Sequence, residues 1–153
     1  MKRYRATVMA FALMLGLWLY GTATSVVEAG DYLGEVCWTF AYTTGLPGTS
    51  GNIKAGVYHM GGGYHLLGGL ATVTTPSYRQ SALHGNAEFI GSSIVLTLTY
   101  SETFPGEIAT ATYNVVLNPD TLSGTLKGGV FDFIEPYLYF AQVSGTVTHV
   151  QCP

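Results

Sequence analysis

Charge is what this sequence has least of: 6 Lys and Arg and 9 Asp and Glu in 153 residues. Lys2, Arg3 and Arg5 crowd one end, so beyond residue 29 only Lys54, Arg79 and Lys127 oppose Asp31, Glu35, Glu88, Glu102, Glu107, Asp120, Asp132 and Glu135, a net charge of about −5. Affinity for phosphate backbones and anionic lipid comes from clustered bases, so this scarcity argues against a nucleic-acid binder and against attraction to an anionic membrane surface. Helical periodicity is absent after residue 30. Cysteine is limited to Cys37 and Cys152. Hydrolase motifs are missing too, since no Gly-x-Ser-x-Gly elbow occurs, and the Gly61-Gly62-Gly63 run has neither the following helix nor the Lys of a phosphate loop. The expectation is a protein that is not an enzyme. Glu102 and Glu107, flanking one turn, are read as solubilising acids rather than a glycosidase pair.

What is present begins with an export signal. Three bases precede a 15-residue apolar run, Ala6 to Tyr20, and Val27-Glu28-Ala29 puts small residues where a signal peptidase reads. That run is shorter than the ~20 residues a spanning helix needs. Residues 1–29 are therefore expected to be a signal peptide and 30–153 a single domain. In an oxidising compartment the two cysteines pair with each other, which would place the first and last strands side by side.

Apolar residues alternate through the rest, with Thr, Val and Tyr abundant and glycine-containing turns at short intervals. The pattern predicts eight strands: Tyr32 to Tyr42, Ile53 to Met60, Tyr64 to Val73, His84 to Ile90, Ser93 to Ser101, Glu107 to Leu117, Leu122 to Gly128 and Leu138 to Val150. Val36, Trp38, Phe40 and Tyr42 share one parity, and Cys37 takes the polar one. Cys152 likewise falls on the polar parity of the last strand, so the bridge belongs on the outer face or rim. Full closure removes sheet edges, and the expected architecture is an all-β, eight-stranded antiparallel up-and-down barrel with a Cys37–Cys152 disulfide, a flattened β-sandwich being the alternative. Alternating strand direction puts Gly61 to Gly63, Gly91-Ser92, Asn118 to Thr121 and both termini at one end. The longer connections, Thr43 to Asn52, Thr74 to Leu83, Thr103 to Gly106 and Gly129 to Tyr137, lie at the other.

This arrangement, over roughly residues 32 to 152, resembles the calycin superfamily of lipocalin-like and avidin-like secreted barrels. The likeness is one of architecture, the nearest match to the lipocalin Gly-x-Trp being Gly34-Glu35-Val36-Cys37-Trp38, and it implies a ligand-binding role without assigning a residue. The run His84-Gly85-Asn86-Ala87-Glu88-Phe89-Ile90-Gly91 and the final Cys152-Pro153 also resemble small exported bacterial proteins, which supplies no activity.

Two clusters carry candidate chemistry. At the long-loop mouth Tyr78, Arg79, His84, Phe104, Phe131, Phe133 and Tyr137 combine aromatic rings with one cation, a set suited to a small apolar or aromatic ligand bearing a carboxylate. At the other end a three-glycine hairpin pairs His59 with His65, and His149 on the last strand points toward the same end. Three imidazoles there would suit zinc or copper, although polar plugging of the barrel end explains them as well. A third class stays open, a small outer-membrane barrel, which needs the apolar parity in lipid and the Thr-rich parity in the lumen. The reading adopted is a secreted or periplasmic barrel that binds a small ligand or serves as an interaction module.

Overall fold

A computed structural model describes residues 30–104, 107–134 and 136–153. The expected signal segment lies outside the described residues. Eight strands follow one another: β1 (Asp31–Thr44), β2 (Ser50–His59), β3 (Tyr64–Thr75), β4 (Arg79–Ile90), β5 (Ser93–Phe104), β6 (Glu107–Leu117), β7 (Gly124–Ile134) and β8 (Tyr137–Val150). Each pairs antiparallel with the next, and β8 returns to β1 through pairs such as Phe40 with Val147, so the sheet closes into an up-and-down barrel. The sandwich alternative is thereby set aside.

Period-two alternation is what drives closure. In β6, Ala109, Ala111, Tyr113, Val115 and Leu117 are all buried, while Asn114 and Thr112 between them are exposed. A strand that is apolar on one face only needs a partner for that face, and a closed sheet supplies one from its own far wall. Trp38, Phe40, Ile53, Leu83, Leu98, Val115, Leu126 and Val147 form one core cluster filling the lumen. Glycine makes room for Tyr113, a further member of this cluster: a Cβ on Gly128 would stand 2.6 Å from the Tyr113 ring. The waist is left with a void of about 20 Å³, space for a single water.

Cys37 and Cys152 form a disulfide with a Cα separation of 5.2 Å, tying β1 to the segment just after β8 across 115 residues. A loop of that size corresponds to about 4 to 5 kcal/mol in the chain-entropy account.

Two expectations need correction. Strands β4 and β7 are longer than the sequence pattern indicated, and the connections at the supposed long-loop end shrink to 45–49, 76–78, 105–106 and 135–136. The cause is polar inward residues: Arg79 and Ser81 in β4 and Asp132 in β7 occupy the lumen parity, so the apolar alternation fades while the strands continue. The face assignment follows the adopted reading. The apolar parity points inward, and hydroxyl, amide and charged side chains cross the outer wall in paired rows, Asn86, Thr97, Asn114, Lys127 and Ser144 being successive cross-strand partners.

Candidate functional site: an apolar cup and a charged plug

The lumen ends differently at its two mouths. At the end carrying the 60–63, 91–92 and 118–123 connections the inward residues stop short of filling it, leaving a pocket of about 200 Å³. Trp38, Leu67, Ala87, Leu96 and Leu117 form its floor. Leu33, Val36, Val57, Phe89, Ile94 and Leu122 form its walls, and His65 is the one ionisable residue in the lining.

Local structure explains each wall. Gly61, Gly62 and Gly63 all have positive φ (93°, 60° and 80°), a run only glycine sustains at no steric cost. The hairpin closes with the Met60 N–H donating to Tyr64 O at 2.9 Å, which sets His59 opposite His65. Their rings meet, with His59 Nδ1 and His65 Nε2 3.3 Å apart, and the Phe89 ring packs edge-on to His65 at 6.2 Å between centroids. On the far side, Asn118 organises the 118–123 connection by accepting hydrogen bonds from the Asp120 and Thr121 N–H groups at its side-chain oxygen. Trp38 Nε1 donates to Leu122 O at 2.8 Å. Leu122 is held at φ 50°, a left-handed conformation unusual for a branched residue, and its side chain is delivered to the cup wall.

The opposite mouth is plugged by charge. Arg79 donates to Glu102 Oε1 at 3.4 Å and to Glu107 Oε1, while Ser81 Oγ donates to Glu102 Oε2 at 2.6 Å. Asp132 completes the group, its Oδ1 buried without a hydrogen-bond partner. Burial works against the Arg79 charge, but hydrogen bonds and attraction from Glu107 and Glu102 outweigh it and hold the guanidinium above its ordinary value. Asp132 is raised by burial and then by repulsion from Glu107 and Glu102, with Arg79 opposing. Below this plug Tyr42 and Tyr113 share a buried hydroxyl contact of 2.5 Å, and the Tyr100 ring stacks on Tyr113. Burial pushes all three phenols above the ordinary value.

The aromatic set expected around Arg79 does not converge. Among those whose side chains are described, Arg79 alone enters the lumen. His84 lies on the outward parity of β4, opposite Gly68 and Thr99, because the inward positions there are Ser81, Leu83 and Ala87. Phe131 and Phe133 take the outward parity of β7, since Val130 and Asp132 face in, and they pair with Phe140 and Leu138 of β8. With Ile108 beside Phe133 they make an apolar strip on the outer wall, where Leu138 is 66% and Phe140 62% exposed. Tyr78 and Tyr137 stand exposed at the mouth, and Phe104 ends β5, its side chain outside the described residues.

Of the three histidines, His59 and His65 meet and His149 does not join them. His149 is exposed opposite Trp38, its N–H donating to Ser123 Oγ. Among the described residues no group of three or more His, Cys, Asp or Glu side chains is placed to hold a metal ion. Apart from His65, the cup residues escaped sequence reading although a signal existed: most are inward-parity apolar positions nearest the short turns.

The fold and its end cup define a class, a closed eight-stranded antiparallel barrel with a filled waist. No family model matches the chain, and no curated protein matches it. A solved structure described as "Structure of EF1p2_mFAP2b bound to DFHBI" aligns with it at 13% identity, covering 76% of this chain and 92% of that one, with a TM-score of 0.48.

Proposed function

We propose that this protein is an exported, calycin-like binding barrel that takes up a small, largely apolar ligand in the cup beside the three-glycine hairpin, with no cofactor and no catalytic step. The observation that carries this reading is the cup: about 200 Å³ of open space with an almost wholly apolar lining. Burial of apolar ligand surface there contributes roughly 25 cal/mol per Å², and a dry cavity of about 150 Å³ accommodates a benzene ring, so one ring or a chain of about eight carbons matches the volume. The plug end is poorly suited to the same task. Glu102 and Glu107 are both engaged by Arg79, which leaves neither carboxylate free as an acid or nucleophile.

Titration calorimetry with octan-1-ol tests the cup, using the protein and an Ala87→Phe variant. Ala87 is buried in the cup floor, and a phenyl ring there fills the space a ligand would take. Saturable one-to-one binding that disappears in the variant is expected. No saturable binding, or equal binding by both proteins, would overturn the reading. The outer strip of Ile108, Phe131, Phe133, Leu138 and Phe140 supports a second role as an interaction surface, because contiguous exposed apolar area of this kind marks contact sites. Concentration-dependent sedimentation that vanishes in a Phe140→Ser variant is the outcome expected of it.

A further inference from the structure

The cup has a single polar feature, and its chemistry is asymmetric. His65 enters the lining beside the Phe89 ring with one nitrogen committed to His59. Two neutral imidazoles in N–H···N contact carry two protons between them, one of which lies in the contact. Whichever ring donates, the pair is left with one outward N–H and one outward lone pair. It can therefore give one hydrogen bond and accept one proton. The acids that register brings beside it, Asp31 opposite His59 and Glu88 next to Ala87, are exposed and do not line the cup. An ammonium group entering the cup would meet no carboxylate, whereas a carboxylate would meet a base able to become its counter-ion.

We propose that the ligand class is a small apolar carboxylic acid, with its ring or chain against Trp38, Leu67 and Leu96 and its carboxyl group at the His59–His65 pair. The inference rests on the cup being the ligand site. The proton balance is explicit: an undissociated acid breaks its O–H bond as the free imidazole lone pair forms an N–H bond, leaving a carboxylate beside an imidazolium. The pair then presents an N–H at each outward nitrogen, and charge-assisted hydrogen bonds of that kind are about twice as strong as neutral ones. A carboxylate arriving already ionised from neutral solution must draw that proton from the solvent, so binding takes up a proton. An alcohol of the same length gains the apolar contact and one neutral hydrogen bond, with no proton change. An amine keeps only the apolar contact and must shed its solvation.

Calorimetry of octanoate, octan-1-ol and octylamine at pH 7.5, repeated in buffers of different ionisation enthalpy, reads both affinity and proton uptake. Octanoate is expected to bind best and to take up up to about one proton per molecule bound, with octan-1-ol next and proton-neutral, and octylamine weakest. His65→Gln should weaken octanoate about tenfold or more and abolish proton uptake, because it removes the imidazole that lines the cup, and His59→Gln should weaken octanoate as well while the remaining imidazole still takes up a proton, with octan-1-ol staying within about twofold in both. Unchanged circular dichroism identifies a variant as folded, and either of the two serves. Equal affinity for octanoate and octan-1-ol, or octanoate binding without proton uptake, would overturn the acid proposal and leave the cup standing. Failure of all three probes would overturn the cup reading, and this inference with it.

Discussion

The two ends of one lumen, built from the same eight strands, are closed by opposite means. At the cup end the inward residues are apolar and stop before the space is full, and the rim is secured by a disulfide and by the Trp38 bond to the 118–123 connection. At the plug end the inward residues are Arg79, Ser81, Glu102, Glu107 and Asp132, and they fill the mouth by pairing with one another. Apolar walls can remain apart at modest cost, which an apolar ligand in the gap recovers. Buried charges cannot, because an unpaired one costs several kcal/mol. The apolar end is therefore the one left with open space, the proposed ligand site, whereas the charged end is filled by its own ion pairs.

Removing the counter-ion should produce the largest effect. Arg79→Leu leaves Glu102, whose side chain is only 6% exposed, and Glu107 in the lumen with no cation. Breaking a buried pair in this way costs about 3 kcal/mol or somewhat less, because the guanidinium itself is partly exposed. Urea unfolding at pH 7 should show that loss, and acidification should recover most of it by neutralising the stranded carboxylates. Octan-1-ol binding at the far end is expected to be unchanged in the folded fraction. Equal losses of stability at pH 7 and pH 4 would show that Arg79 contributes packing rather than charge.

Asp132 tests the same plug with a smaller effect and the opposite sign. Its raised value, from burial and the neighbouring Glu107 and Glu102, means that the folded protein holds this proton to higher pH than the unfolded chain does. Stability from this group is therefore greatest below the ordinary carboxylate value. It falls as pH rises from there through the raised folded value, and stays reduced at neutral pH. Asp132→Asn removes the charge and keeps the shape, so the variant should be more stable at pH 7 by about 1 kcal/mol and no more stable at pH 3. A variant less stable at pH 7 would mean that the carboxylate makes a favourable contact there.

The contrast between the ends also accounts for what could be read from sequence. The barrel, the disulfide and the His59–His65 register were legible because each follows from strict alternation or from a short glycine turn. The extents of β4 and β7 were not, and the reason is the plug. A charged residue on the inward parity looks like the end of a strand when its partners lie on other strands, as Glu102 and Glu107 do for Arg79. Alternation alone therefore gives that mouth loops that are too long and places Phe131 and Phe133 in it, whereas they belong to the outer wall. The cup was obscured differently. A cavity is the absence of side chains, and the inward-parity apolar positions beside the short turns do not reveal one until all eight strands are set in register.

The finest distinction concerns Leu122, where wall and backbone pull in opposite directions. Its φ of 50° costs a non-glycine residue about 1 kcal/mol or more, and the half-buried side chain recovers a similar amount by lining the cup. Leu122→Gly gives up the side chain and relieves the backbone, so its stability should stay within about 1 kcal/mol of the parent. Leu122→Ala gives up most of the side chain and keeps the strain, and it should be less stable than the glycine variant by about 1 kcal/mol. That order reverses the usual ranking of alanine over glycine. Both variants should lose octan-1-ol affinity by about tenfold, since both remove the same wall. Alanine more stable than glycine would show that the left-handed conformation is not held when the side chain is gone. Leu122 would then sit where it does because the cup draws it there, and the 118–123 connection would owe its shape to the apolar end rather than to Asn118.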